Sequence, residues 1–149
     1  MTDQSVARPG SQRSVELSKQ GEHRFKATNA RGGVVSIGHG EDPDFTPVEL
    51  LLAALAGCGA LDVDFITGKR APFEEFAARS VGTVVRDDDG NHLVDVSVTF
   101  DVLFPATDGG DAARGVLESA IRMSQDRLCT VGRTITLGTP VTYRSGSLD

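Results

Sequence analysis

The residues of this chain with the most chemistry to offer are its two cysteines, Cys58 and Cys129. A thiolate can attack an electrophile, ligate a metal or pair with a second sulfur, so three kinds of chemistry are open at the outset. Metal ligation is the weakest of them. The cysteines are far apart in sequence, and His23, His39 and His92 are scattered without ligand spacing. Asp87-Asp88-Asp89-Gly90 has the look of a calcium loop but lacks the rest of one, and reads as a solvated hairpin turn. Neither a Ser/His/Asp nucleophile signature nor a Gly-rich phosphate loop is present. What remains is thiol redox chemistry, set against the plainer reading of two cysteines that only pack.

Local surroundings divide the two sulfurs. Cys58 sits in Ala-Gly57-Cys58-Gly59-Ala, in the middle of an apolar helical stretch, where each glycine costs roughly 1 kcal/mol relative to alanine. Its place well inside the helix puts it beyond the reach of the N-terminal dipole. Burial and Asp62, one turn on, both oppose ionisation there. A reactive Cys58 therefore needs a cation from elsewhere in the chain, with Arg24, Arg31, Arg127 and Arg133 as candidates. Cys129 lies between Arg127 and Arg133 and opens a new helical turn, so local electrostatics alone would make Cys129 the thiolate.

The elements that must position these sulfurs are legible in outline. Thr46, Pro47 and Glu49 form an N-cap, first-turn proline and capping box ahead of a long helix, which Gly68-Lys69-Arg70 and Pro72 close. Leu51, Ala54, Leu55, Leu61, Asp62 and Phe65 share the face of Cys58, while Ala53, Ala56, Ala60 and Val63 make the opposite face apolar too. A helix apolar all round is expected to be buried, inside the domain or a dimer. Before it come three short strand candidates at residues 14–19, 23–28 and 33–37. After it come a β-hairpin turning at Asp-Gly, whose second strand alternates from Val94 to Phe104, then a second helix, then a β-rich tail over 134–143. The expectation is an α+β fold: a single domain over residues 13–149 preceded by a flexible arm at 1–12.

Composition narrows the setting. The net charge of −6 and the lack of a Lys/Arg cluster argue against nucleic acid or an anionic membrane as partner. No secretory h-region opens the chain, and the longest apolar run, about 12 residues, falls short of the roughly 20 a membrane helix needs. The expected location is the cytoplasm, where two cysteines are not expected to form a permanent structural bridge.

The segments TPVELLLAALAGCGALDVDFITGKR and DRLCTVGRTITLGTPVTYR together resemble the OsmC/Ohr family of osmotically inducible and organic-hydroperoxide-resistance proteins, over about residues 14–144. The resemblance implies an intertwined homodimer, its long central helices wrapped by sheets from both chains. It also implies a thiol peroxidase with Cys58 as the peroxidatic and Cys129 as the resolving cysteine, the reverse of the local assignment. Arg31 in Ala-Arg-Gly-Gly is the arginine carried over as thiolate stabiliser, although it precedes the glycines where the Ohr branch has its arginine after them. The Ohr glutamate position is occupied by Val48, and Glu49 next to it falls on the far side of the helix from Cys58. These departures point to the general OsmC-like branch. The implied partners are a small hydroperoxide and an external dithiol reductant, with no cofactor and no metal. Leu51, Leu55 and Phe65 are expected to wall a site that favours organic peroxides. Two rival readings use the same fold: a non-catalytic dimeric module binding an apolar or thiol-bearing small molecule, and a redox sensor.

Overall fold

The computed structural model describes residues 10–148, so most of the arm expected at 1–12 lies outside the described residues, while 10–12 are exposed and without regular structure. Over the described residues the fold is α+β, with two small antiparallel sheets and three α-helices. It divides into two compact units, the first ending at Glu49 and the second beginning at Leu50.

The first unit is a three-stranded meander of β1 (Val15–Gly21), β2 (Arg24–Asn29) and β3 (Val34–Ile37), close to the three strands expected. His23 turns the first corner with φ 55°. The second corner is built by Asn29. Its side-chain oxygen accepts from the backbone N–H groups of Arg31 and Gly33 at 3.0 and 2.9 Å. Gly32 takes the left-handed conformation, φ 88°, that this corner demands. Farther on, the Arg24 guanidinium is bound to Asp44 at 2.6 Å and to Asp42 at 3.7 Å. The expected capping box forms: the Thr46 N–H donates to Glu49 Oε1 at 2.9 Å, and the Glu49 N–H donates to Thr46 Oγ1 at 3.2 Å.

The second unit holds most of helix α1 (Pro47–Thr67), the hairpin β4 (Glu75–Asp87) and β5 (Gly90–Leu103), helix α2 (Asp108–Met123) and helix α3 (Thr130–Thr136). Between α2 and α3 the chain makes one π-helical turn, Ser124–Leu128. The hairpin register runs from Glu75 opposite Leu103 to Asp87 opposite Gly90, with a bulge between Val81 and Thr83. Asp95 lies at the bulge with φ 53°, and this interrupts the alternation expected from Val94 onward. Leu93 and Val96 converge on Gly82, where a Cβ would stand 3.4 and 3.2 Å from them and 3.6 Å from Leu52 of α1.

Buried Ala71, Phe104 and Ala113 form the core of this unit, with Phe73, Val102 and Leu117 packed on it. From Phe104 a row of rings, Phe73, Phe76 and Phe100, steps toward α1 at centroid distances of 5.6, 5.0 and 6.1 Å. The row ends at Gly59, where a Cβ would lie 2.9 Å from Phe100 Cζ. One of the two glycines beside Cys58 therefore admits an aromatic ring. The other, Gly57, has open space above it.

One expectation is met only in part within a single chain, and one is corrected. Within this chain α1 is not buried all round: Gly59, Val63 and Thr67 are buried along one line, while Leu51, Leu61 and Phe65 are 41, 59 and 73% exposed. The helix extends well past its uninterrupted apolar run, and by length and composition alone it could cross a membrane. The β-rich tail forms no strand among the described residues. Thr130–Thr136 is helical, and residues 139–148 have no regular structure. Thr134 donates its hydroxyl to the Thr130 carbonyl at 2.7 Å, the back-bonded form in which a threonine sits within a helix, and beyond Gly138 the tail pairs with neither sheet.

Candidate functional site: two thiols beside an uncharged cavity

Cys58, half-buried on α1, and Cys129, 4% exposed at the start of α3, come together in the second unit with both thiols free. Three backbone features place Cys129. Its N–H donates to the Ser124 carbonyl at 2.8 Å, the bond that closes the π-turn. Its Sγ caps α3 by accepting from the Gly132 N–H at 3.2 Å. Gly132 allows a close approach, since a Cβ there would stand 3.2 Å from Cys129 Sγ and 3.3 Å from Leu55 Cδ1 and both would have to give by a few tenths of an ångström.

The cap and the burial pull the Cys129 thiol in opposite directions. Loss of solvent is the larger influence and pushes its pKa up. The Gly132 N–H works against that shift, and the nearby Cys58 side chain and Asp62 charge add to it. Cys129 is therefore held as a thiol, contrary to the assignment local sequence electrostatics favoured. Arg133 is not among the groups that act on this thiol, and its guanidinium donates to the Asp126 carbonyl at 3.3 Å.

A cavity of about 380 Å³ opens beside Cys129, walled by Leu55, Val98, Phe100, Ile121 and Ile135 and without a charged side chain in its lining. Of the three walls expected from the sequence, Leu55 lines it. Leu51 and Phe65 instead face outward from α1. Polar groups enter the cavity through Ser97, Ser124, Gln125 and Thr136. Ser124, 4% exposed, donates its hydroxyl to Asp62 Oδ2 at 2.8 Å. Asp62 is legible in the sequence as a charge near Cys58, but Ser124 carries no local signal of its role.

Arg31, Arg24 and Glu49 belong to the first unit. Arg31 stands exposed in the Asn29–Gly33 corner of the first unit, its side chain making no hydrogen bond or ion pair among the described residues. Arg24 is committed to Asp44 and Asp42. Glu49 is held below the usual carboxylate range by the Thr46 backbone N–H and then by the Thr46 side chain, which marks it as a cap. No group of three potential metal ligands occurs among the described residues.

Comparison with known proteins places this arrangement. Residues 38–144 match the family described as OsmC-like protein, and the chain belongs to that family. An uncharacterized protein of Mycobacterium tuberculosis is 31% identical over 128 residues, covering 84% of this chain and 90% of that protein. The fold is shared with an OsmC-like protein of unknown function from Vibrio cholerae at TM-score 0.70 and 16% identity, covering 84% of this chain and 94% of the other. It is also shared with the organic hydroperoxide resistance protein OhrB of Bacillus subtilis at TM-score 0.54 and 12% identity, covering 81 and 90%.

Proposed function

We propose that this protein is a cytoplasmic, homodimeric dithiol peroxidase that reduces organic hydroperoxides. The observation that carries the reading is the meeting of two free thiols, from α1 and from the start of α3, the second of which lines an uncharged, largely apolar cavity. In the first step the Cys58 thiolate attacks the distal peroxide oxygen. The O–O bond breaks, the alkoxide leaves and takes a proton to become an alcohol, and Cys58 becomes a sulfenic acid. Cys129 then displaces the hydroxyl as water and forms the disulfide, which an external dithiol returns to two thiols. Assigning the first attack to Cys58 is supported by the raised pKa and burial of Cys129, which suit a resolving thiol that acts second. Arg31, carried over from the family resemblance, is the cation this reading assigns to the Cys58 thiolate, and its guanidinium is uncommitted among the described residues. The outward Leu51, Leu61 and Phe65 of α1 belong, in this reading, to the interface with a second copy rather than to a bilayer. Its inward side is already tied to Phe100 and Ser124.

The test is to add one equivalent of cumene hydroperoxide to the reduced protein and count free thiols. Wild type is expected to lose both, Cys58→Ser to keep its remaining thiol, and Cys129→Ser to stop at a sulfenic acid that dimedone captures. Arg31→Ala is expected to slow thiol loss by about tenfold or more. Two thiols surviving in the wild type would sink the peroxidase reading. Loss of both without turnover by dithiols would instead support the sensor.

A further inference from the structure

We propose that Asp62 and Ser124 are the positioning pair for closure of the disulfide between Cys58 and Cys129. The Asp62 carboxylate, one turn beyond Cys58 on α1, holds the Ser124 hydroxyl at 2.8 Å, and the Ser124 carbonyl holds the Cys129 N–H at 2.8 Å. Two hydrogen bonds thus run from the helix of one sulfur to the backbone of the other. The inference rests on the redox reading above and concerns its second step.

The physical need is specific. A disulfide forms only when the two Cα atoms lie within about 7 Å and the Cβ–S–S–Cβ dihedral nears a right angle. Cys58 sits on a long helix, whereas Cys129 sits between one π-turn and a seven-residue helix. A single π-turn is a rare interruption of helix, and a contact from outside it helps to hold it in one conformation. Ser124 is the first residue of that turn and is buried, so its charge-assisted bond to a half-buried carboxylate fixes the turn where it is partly shielded from water. Asp62 faces Ser124 from the π-turn and the thiols of Cys58 and Cys129. The cavity-lining residues of β5, α2 and α3 carry no charge, and Arg133 is directed to the Asp126 carbonyl. No basic side chain among these groups neutralises the carboxylate, and its charge also keeps the resolving thiol protonated until a sulfenic acid is present.

In the closing step the Cys129 sulfur bonds to the Cys58 sulfur, the S–O bond of the sulfenic acid breaks, and the thiol proton leaves with the hydroxyl as water. Asp62 acts on this step through Ser124. Ser124→Ala and Asp62→Ala each cut the chain of hydrogen bonds. Asp62→Asn preserves it, because the amide oxygen still accepts from the hydroxyl, and removes only the charge.

The experiment follows disulfide formation in the full-length reduced protein by alkylation quench and intact mass, with two oxidants. One is a single equivalent of cumene hydroperoxide. The other is diamide, which takes two hydrogens from a dithiol to give a disulfide and a hydrazine without any peroxide step. Ser124→Ala and Asp62→Ala are expected to slow closure by about tenfold or more with both oxidants, and to lengthen the life of the dimedone-trapped sulfenic acid in the first. Asp62→Asn is expected to close within about threefold of wild type and to lower the pH midpoint of Cys129 alkylation, a readout that a purely structural role would not move. Closure at the wild-type rate in Ser124→Ala and Asp62→Ala overturns the proposal, as does closure in Asp62→Asn as slow as in Asp62→Ala. If the hydroperoxide leaves wild-type thiols intact while diamide gives the expected pattern, the peroxidase reading fails and the positioning role stands.

Discussion

At Cys129 one sulfur is subject to two opposing effects whose balance decides its chemistry. A helix-capping N–H from Gly132 favours the thiolate, and burial favours the thiol more strongly. The outcome has a consequence for stability with a definite sign. An acidic group whose pKa is higher folded than unfolded binds its proton more tightly in the native state. Its contribution is fully present below the ordinary thiol value of 9.0 and is lost as pH rises through and above it. The protein is therefore expected to lose stability between pH 8 and about pH 10 more steeply than Cys129→Ser, as read from urea midpoints at the two pH values. Equal slopes would mean that Cys129 is not perturbed by its surroundings.

At the scale of elements, the glycines flanking Cys58 have separate uses. Gly59 is where the phenylalanine row from the core meets α1, and an alanine there would collide with the end of the Phe100 ring. Gly59→Ala is expected to cost about 1–3 kcal/mol, and the double variant Gly59→Ala/Phe100→Leu to cost less than the sum of its parts in a denaturant cycle. The capping box, the three N-terminal strands and the Asp-Gly hairpin were all readable in the sequence, because each is built from residues a few positions apart. The parts that escaped are those whose causes are distant or ambiguous. The segment Thr130–Thr136 has a strand composition and becomes helix because a cysteine caps it and a threonine bonds backward along it. The bulge at Asp95 shifted an alternation that otherwise looked regular. Of the site, both sulfurs were identified from the sequence, but the Ser124–Asp62 bond spans too many residues to leave a local trace.

For the molecule as a whole, the most telling surface is the outer side of α1. Leu51, Leu61 and Phe65 are exposed on the same helix whose inner line of Gly59, Val63 and Thr67 is fully packed. Large apolar side chains lined along one helix face mark a surface that is normally covered. If a second copy covers it, Leu61→Asp and Phe65→Asp are expected to turn a dimer into monomers in sedimentation velocity, leaving the circular dichroism of the monomer unchanged. Gly57, with open space above it, extends the test. Alanine there should stabilise the chain by about 0.5–1 kcal/mol through helix propensity alone, and a loss instead would mean that another backbone lies against it.

The π-turn between α2 and α3 adds a constraint of another kind. Its closing bond joins residues five apart, from the Cys129 N–H to the Ser124 carbonyl, where an α-helix would join residues four apart. The facing of Cys129 toward Cys58 is thus encoded by a count of residues as well as by their identity. Most substitutions within Ser124–Leu128 would leave that count intact, whereas removal of a single residue would let the turn relax into ordinary helix and swing Cys129 about 100° around the axis. Among relatives of this chain, length in that one segment would be a sharper marker of a working dithiol than the presence of two cysteines.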